Sequence, residues 1–204
     1  MGIYAVKPRF RRLLRGTART LAGRGVMPDQ VTTAGVVAGG LGALAFAVGG
    51  RWRGAFATVP VLALARTAAN ALDGLVAEES GLGRPAGELY NETADRLGDI
   101  AFLAGTAAVP GVPPALALGA LAAAELSSFV GVSAKAAGGR RRYEGPMGKP
   151  DRMLVLGAAG LAAALARRPA RALNAGLALI AAGALVTAAN RYRRAHAELD
   201  AARG

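Results

Sequence analysis

The apolar positions of this 204-residue chain fall into long blocks separated by short polar turns. A helix that crosses a bilayer needs about 20 consecutive, mostly apolar residues. The pattern therefore predicts an all-α membrane protein with six transmembrane helices. The six blocks lie at about Val31–Gly50, Gly54–Ala77, Glu88–Val109, Pro113–Ala134, Met153–Arg167 and Ala172–Asn190.

The segment before the first block alternates arginines with apolar residues. From about Pro8 to Ala22, helical spacing places the apolar side chains on one face and the arginines on another. This predicts an N-terminal amphipathic helix that lies on the inner leaflet, either as a topology anchor or facing substrate. The predicted division is an interfacial segment 1–29, a six-helix domain 30–190 and a cytoplasmic tail 191–204.

Composition and charge favour a membrane partner over nucleic acid. The chain is 53% hydrophobic, has a mean hydropathy of +0.33 and carries a net charge of +12. Its basic residues are interrupted by apolar blocks instead of sharing one surface, which is atypical of a nucleic-acid binder. The N-terminal segment, the loops after the second and fourth blocks and the tail hold 18 of the lysines and arginines, against five in the other loops. This asymmetry predicts that both termini are cytoplasmic.

Polar residues in the second and third blocks repeat at spacings of three or four. Since charged groups are costly inside a bilayer, two such stripes on consecutive helices predict a shared wet cavity at the cytoplasmic half. The second block carries Arg66, Asn70, Asp73, Gly74 and Ala77, and the third carries Glu88, Asn91, Glu92, Asp95, Arg96 and Asp99.

Carboxylates clustered without His or Cys suit a hard divalent cation such as Mg²⁺. One or two such ions suit a pyrophosphate substrate, and a remaining carboxylate can accept the proton of an attacking hydroxyl. The alternative is purely structural, with Arg66 and Arg96 neutralising Asp73 and Asp95. The chain has no cysteine, so a thiolate metal site is excluded.

A second set of candidates surrounds the longest loop, which runs from Lys135 to Arg152. Lys149, which follows two glycines near the start of a block, could bind the phosphate of an acceptor. The same is true of Arg66, Lys135, Arg140–Arg142 and Arg152. Clustered Lys and Arg at this level also serve as topology or lipid anchors. Glu125, inside the fourth block, either lines an acceptor pocket or pairs with Arg66 or Arg96.

Residues 70–95 read NALDGLVAEESGLGRPAGELYNETAD. This stretch resembles the CDP-alcohol phosphatidyltransferase signature, Asp-x2-Asp-Gly-x2-Ala-Arg-x8-Gly-x3-Asp-x3-Asp. The spacing matches at Asp73, Gly74, Ala77, Gly87 and Asp95. The chain is also similar to a bacterial inner-membrane subgroup with Asn at two of the signature Asp positions, and this likeness includes IYAVKP and EGPMGKPDR. The departures from the signature are Asn70 and Asn91 in place of Asp, and Glu78 in place of Arg.

The resemblance implies a role for each matched position. Asp73 would be a retained metal ligand, with Asn70 and Asn91 as neutral oxygen ligands, and Asp95 would be the base. Asp99 would restore charge to the metal site, as could Glu88 or Glu92. The nucleotide would be surrounded by Gly74, Ala77, Gly87 and Asn70.

The resemblance also implies an activity and a setting. It implies transfer of a phosphatidyl group from CDP-diacylglycerol or another CDP-alcohol to a small alcohol, with release of CMP and use of Mg²⁺ or Mn²⁺. The setting would be the inner membrane, with lipid as partner, the active site facing the cytoplasm, and a homodimer as the assembly. Two alternatives stay open: a weak or inactive member that binds nucleotide or lipid, and a small transporter lined by the same polar stripe.

Overall fold

The computed structural model describes residues 7–201, with side chains from Phe10 onward, and this part contains seven α-helices and two short 3₁₀ turns. Residues 3–6 of the N-terminal likeness and the end of the predicted tail, 202–204, lie outside it. No strand occurs in the described part. The helices are α1 (Lys7–Gly23), α2 (Pro28–Gly49), α3 (Val59–Ser80), α4 (Pro85–Gly105), α5 (Pro114–Ala136), α6 (Lys149–Leu165) and α7 (Pro169–Ala201).

Each predicted block falls on one of the helices α2 to α7, and a helix also covers the predicted amphipathic segment. Within residues 7–201, four helical segments are long and apolar enough to cross a membrane: α2, Arg53–Ser80 (α3 with a preceding 3₁₀ turn), α5 and α7. Several charges interrupt α4, and α6 has only 17 residues. Length and composition therefore support a membrane protein in which these four segments are the candidate spans.

Proline and glycine set the helix boundaries. Prolines at the first or second position open α2 to α6, where the missing N–H would have no helical partner. Gly81, with φ of 69°, ends α3 in the left-handed conformation that glycine adopts without strain. The short connection from Gly81 to Arg84 makes α3 and α4 sequential neighbours, which brings their polar stripes to one region.

The last helix differs from the predicted boundary at residue 190. Helix α7 continues without a break to Ala201, so residues 191–201 of the predicted tail are helical. The hydropathy of the block ends at Asn190, but helical backbone needs no apolar residues to continue.

The interior combines many small residues with a few large ones such as Phe46, Phe56 and Phe102, and many other large apolar residues lie on the outer surface. Helix α2 packs between α3 and α4, α5 packs on α7, and α6 contacts α3 and α7. Helices α2 and α4 approach closely where Gly39 meets Gly98, since a Cβ at Gly39 would come within 2.7 Å of the Gly98 carbonyl oxygen. Large side chains exposed on the outer faces, as expected for lipid contact, include Val37, Leu41, Leu64, Leu118, Phe129 and Leu179.

Candidate active site

Asp73 lies at the junction of α2, α3 and α4. It is 3% exposed, and its Oδ2 accepts hydrogen bonds from Thr32 Oγ1 at 3.2 Å and from Asn91 Nδ2 at 2.8 Å. Its Oδ1 accepts the Gly74 backbone N–H at 2.6 Å. Thr32 was not among the predicted site residues, because one Thr at the start of an apolar block carries no signal of its partner. The three helices therefore fix the orientation of this carboxylate.

Asp95 stands one turn after Asn91 on α4 and forms an ion pair with Lys149 at the start of α6. Lys149 follows Gly148 and opens α6 beside Pro150. Asp95, Asn70 and Lys149 all line the same cavity. The structure therefore brings two signature positions and one predicted phosphate-binding lysine to a common space.

This cavity has a volume of about 520 Å³ and two chemically different ends. One end is cationic, lined by Arg96, Arg141, Arg142, Lys149, Arg152 and Arg191. The other is apolar, lined by Pro60, Ala63, Leu64, Met153, Leu154 and Leu161. Leu64, Leu154 and Leu161 are 61%, 59% and 48% exposed, so the apolar end reaches the outer surface between α3 and α6.

Beneath the cavity, Asp99 is engaged by two arginines from other helices. Its Oδ1 accepts from Arg66 Nε at 3.1 Å and Nη2 at 2.7 Å, and its Oδ2 accepts from Arg152 Nη2 at 3.1 Å. Arg66 also donates to the carbonyl oxygens of Gly35 and Asp95, both at 2.8 Å. All three charged side chains are almost completely buried. The cluster joins α2, α3, α4 and α6.

This cluster differs from three expectations drawn from the sequence. Arg66 pairs with Asp99 and not with Asp73, because its side chain points toward α4 one turn beyond Asp95. The Arg66 guanidinium donates its hydrogen bonds within this network, and Arg66 does not line the cavity. The predicted supplementary ligand Asp99 has both oxygens occupied by guanidinium groups, whose charge excludes a cation from the same position.

Other charged candidates pair around the rim. Arg96 lies 3.6 Å from Glu125 Oε2, so Arg96 does not neutralise Asp95. Buried atoms without a hydrogen-bond partner in this region include Arg96 Nε, Glu125 Oε1 and Arg152 Nε. Glu92 pairs with Arg141, and Glu88 with Lys135. The two glutamates therefore serve as partners of loop and α5 cations.

The predicted nucleotide-binding positions are placed apart. Gly74 is exposed on α3, with no heavy atom within 4 Å of where a Cβ would lie, and Ala77 is half-buried one turn further along the helix. Gly87 packs beside the ion pair of Arg84 and Asp29 at the start of α4. The open face at Gly74 leaves room beside Asp73 for a flat group.

Sequence reasoning missed two residues that line the cavity: Tyr143, in the loop between α5 and α6, and Arg191, on α7. Arg191 donates from Nη2 to the Tyr143 carbonyl and from Nε to the Glu144 carbonyl, both at 2.8 Å. Burial alone would raise the pKa of the Glu144 carboxyl, but its own N–H, the Tyr143 N–H and the Arg142 guanidinium together lower it. The predicted Arg140 is instead 81% exposed in its side chain and pairs with Glu198.

The donor atoms around Asp73 decide which metal ion this site could hold. Among residues 10–201, no group of three or more His, Cys, Asp or Glu side chains is arranged to hold a metal ion. Around Asp73 the described oxygen donors are two carboxylates, Asp73 and Asp95, and two amides, Asn70 and Asn91. Mg²⁺ is commonly held by one or two carboxylates together with water and substrate phosphates. These oxygen donors therefore fit a Mg²⁺ ion whose other ligands are water and the phosphates of the substrate.

Comparison with known proteins gives two relatives. The chain is 34% identical over 165 residues to the inner membrane protein YnbA of Escherichia coli, covering 81% of this chain and 82% of that protein. It is 34% identical over 152 residues to the phosphatidylinositol phosphate synthase of Mycolicibacterium smegmatis, covering 71% of this chain and 66% of that protein. No family model matches the chain.

Solved structures of the Mycobacterium tuberculosis phosphatidylinositol phosphate synthase share the fold. The form with CDP-DAG bound superposes with a TM-score of 0.71 at 26% identity, covering 90% of this chain and 94% of that chain. The form in complex with manganese and citrate gives a TM-score of 0.70 at 26% identity, covering 89% and 88%.

Fold and site together define a helical membrane protein with a buried carboxylate site that opens to a cavity with one cationic and one apolar end. The relatives, the shared fold and the matched signature positions identify it further. The chain belongs to the CDP-alcohol phosphatidyltransferase family.

Proposed function

We propose that this protein transfers a phosphatidyl group from CDP-DAG, or another CDP-alcohol, to a phosphorylated small alcohol and releases CMP. The observation that carries the proposal is the position of Asp95, which lies in a cavity that is cationic at one end and apolar at the other. A relative by fold is solved with CDP-DAG bound, and the activity is one of phospholipid synthesis.

The apolar end of the cavity suits the lipid part of the donor. Because Leu64, Leu154 and Leu161 line the cavity and remain exposed, an acyl chain can lie between α3 and α6 without leaving the membrane. The open face at Gly74 is the place for the nucleotide, as the family resemblance implies for Gly74, Ala77, Gly87 and Asn70. With the lipid and the nucleotide in these positions, the pyrophosphate would lie between them, near Asp73 and Asp95.

Asp95 is the proposed base. Its carboxylate accepts the proton of the acceptor hydroxyl, whose oxygen forms a new bond to the phosphorus that bears the lipid. The bond between that phosphorus and the bridging oxygen breaks, and CMP leaves with that oxygen. Lys149, paired with Asp95, orients the carboxylate and contributes positive charge beside the reacting phosphate.

Asp73, Asn70, Asn91 and Asp95 are the proposed holders of a divalent cation, Mg²⁺ or Mn²⁺. A relative by fold is solved with manganese, which supports divalent metal use. When bound, the cation would neutralise phosphate oxygens of the donor. Thr32 and the Gly74 N–H position Asp73 for this role. With two amides in the set, we propose a single ion. Asp99 is assigned to positioning, since Arg66 and Arg152 hold both of its oxygens.

The cationic end of the cavity supports an anionic acceptor. Arg141, Arg142, Lys149, Arg152 and Arg191 face the space next to Asp95, with Ser128 among them. A phosphate on the acceptor would be attracted here, whereas a cationic amine would be repelled. Arg96 also lines the cavity, and its Nε is buried without a hydrogen-bond partner, so it offers a donor for a further hydroxyl group on the acceptor.

For the membrane setting, we propose six spans, α2 to α7, with α1 on the inner leaflet and both termini and the active site on the cytoplasmic side. The Lys and Arg asymmetry supports this orientation. The charges of α4 are compatible with a span because they face partner helices: Asp99 pairs with Arg66 and Arg152, and Asp95 with Lys149. The homodimer implied by the resemblance stays a prediction.

The test is CMP release by the purified protein in lipid nanodiscs with Mg²⁺ and CDP-DAG. Glycerol 3-phosphate, an inositol phosphate and serine are compared as acceptors. We expect release with a phosphorylated alcohol and none with serine. Asp95→Asn is expected to lower the rate at least about 100-fold, because it removes the proton acceptor, and to retain nucleotide binding measured by thermal shift with CDP.

Full activity of Asp95→Asn would contradict the assignment of Asp95 as base. CDP binding without CMP release from any acceptor would favour the alternative of an inactive member that binds nucleotide. Release with serine alone would contradict the proposed anionic acceptor and leave the transferase reaction intact.

A further inference from the structure

The C-terminal extension of α7 holds the loop that forms one wall of the cavity. Glu198 Oε1 accepts from the Arg140 backbone N–H at 3.1 Å and from Arg140 Nε at 3.2 Å. Glu198 Oε2 pairs with Arg142, whose Nη2 also donates to the Arg194 carbonyl at 3.0 Å. One carboxylate thus binds both the backbone and two side chains of the loop.

The loop lies close against the helices beneath it. The Arg142 N–H donates to the Gly131 carbonyl of α5 at 3.2 Å, and a Cβ at Gly131 would come within 2.5 Å of the Arg142 carbonyl oxygen. Further along, Gly145 crosses over Thr187 with φ of +136°, and the Met147 N–H donates to Thr187 Oγ1 at 2.9 Å. The loop therefore has a defined position, set by α5 and α7.

Two of the loop arginines face the cavity from this position. Arg141 lines it, pairs with Glu92 on α4 and stacks over Tyr143 with its guanidinium 4.7 Å from the ring centre. Arg142 lines it while its guanidinium is held between Glu144 and Glu198. The loop wall is thus cationic on its inner side and anchored by an anion on its outer side.

We propose that Glu198 is a positioning residue for the acceptor end of the active site. It holds the Arg140–Arg142 segment so that Arg141 and Arg142 present their charge to the phosphate of the acceptor. The inference rests on the proposed transfer to a phosphorylated alcohol. Residues 191–201 lie beyond the last apolar block. The proposal gives them a role in substrate affinity, which their contribution to membrane topology alone would not require.

The test compares Glu198→Ala and Glu198→Gln with Asp200→Asn. Asp200 lies half a turn away on the same helix and forms an exposed pair with His196, so its loss is a matched removal of one negative charge. CMP release is measured with CDP-DAG saturating and an inositol phosphate varied. Glu198→Ala should raise the KM for the inositol phosphate about tenfold and leave kcat within about twofold. Misplaced arginines weaken binding of the acceptor phosphate, but they do not change the chemical step once the acceptor is bound.

Glu198→Gln should show a smaller rise, since its amide oxygen can still accept the Arg140 N–H, and Asp200→Asn should match the parent protein. An unchanged KM in Glu198→Ala, or a fall in kcat at unchanged KM, would overturn the inference. An equal rise in Asp200→Asn would also overturn it, because the effect would then be one of net charge.

A second measurement does not depend on turnover. Trypsin cleavage after Arg140, Arg141 or Arg142 should be faster in Glu198→Ala than in Asp200→Asn, and inorganic phosphate should slow cleavage of the parent protein more than that of Glu198→Ala. Equal cleavage and equal phosphate protection in both variants would refute the proposed positioning. Absence of CMP release from the parent protein, with this difference intact, would count against the proposed reaction and not against the role of Glu198 in holding the loop.

Discussion

Asn70 and Asn91 replace two carboxylates of the signature with amides, and both positions adjoin Asp73. An amide gives a hard cation only its carbonyl oxygen, whereas a carboxylate adds a negative charge. The Asn70→Asp, Asn91→Asp double variant should therefore reach half-maximal CMP release at a lower Mg²⁺ concentration, about tenfold lower. Metal titration of initial rates measures this directly.

Asn190→Asp is the control for that titration, since it adds a carboxylate to α7 away from Asp73. Its Mg²⁺ dependence should equal that of the parent protein. An unchanged or weaker Mg²⁺ dependence in the double variant would show that these two positions do not contact the cation.

Gly98 has no side chain and so leaves the space that the buried guanidinium of Arg66 occupies. A Cβ at this position would fall on the guanidinium of Arg66, which crosses from α3 to reach Asp99. Gly98→Ala should destabilise the protein by about 1–3 kcal/mol, because either the arginine or helix α4 must shift. A lower thermal unfolding midpoint in detergent is the expected measurement.

Gly119→Ala provides the comparison, because no heavy atom lies within 4 Å of its added Cβ on α5. Its midpoint should stay at or above that of the parent protein. Equal loss of stability in both variants would mean that glycine itself, and not the space for Arg66, matters at these positions.

At the scale of elements, α1 is attached to α3 through both ion pairs and apolar contact. Arg11 contacts Glu78 at 2.6 Å, and Arg19 contacts Glu79 at 3.3 Å, while Arg15 lies within 4.0 Å of both glutamates. A small apolar cluster around Ala18 supports the contact. Exposed pairs of this kind contribute about 0–1 kcal/mol each, so the attachment of α1 also depends on this apolar cluster. Glu78, a departure from the signature, thus has a partner in this chain.

The positions of the elements followed from the sequence because an apolar block of about 20 residues is a strong signal on its own. The end of α7 did not follow, since Arg191 to Arg194 ended the apolar block without ending the helix. Propensity alone would have extended it, because the stretch contains neither Gly nor Pro before Gly204.

The candidate site was predictable to the level of which helices meet. The matched signature predicted Asp73 and Asp95 on consecutive helices. In the structure, hydrogen bonds connect Asp73 on α3 to α2 and to α4, the helix that carries Asp95. The ion-pair partners were not predictable, since spacing along α3 does not specify whether Arg66 reaches Asp73, Asp95 or Asp99. Such pairing depends on helix rotation and on the close Gly39–Gly98 contact.

At the scale of the whole molecule, the number of spans has a simple test. With six spans and both termini cytoplasmic, reporter fusions at Gly204 and near Pro113 should report opposite sides of the membrane, because an even number of spans precedes the first and an odd number the second. Alkaline phosphatase and green fluorescent protein fusions give complementary signals, and a fusion near Gly81 is the cytoplasmic control. The same side for Gly204 and Pro113 would contradict the six-span arrangement.

The arginine–aspartate–arginine cluster also has a consequence for synthesis and membrane insertion. Arg66 leaves the ribosome 33 residues before Asp99, and Arg152 follows 53 residues after Asp99. An unpaired charge within a span costs about 2.5–3.5 kcal/mol on translocon-based scales. Insertion of α3 is therefore more favourable when α3 enters the lipid together with α4 as a hairpin, because Arg66 is then paired with Asp99. Packing of α6 adds the pair between Arg152 and Asp99 and stabilises the hairpin further. Assembly of this protein should accordingly be a cooperative event in the membrane, not a succession of independently stable helices.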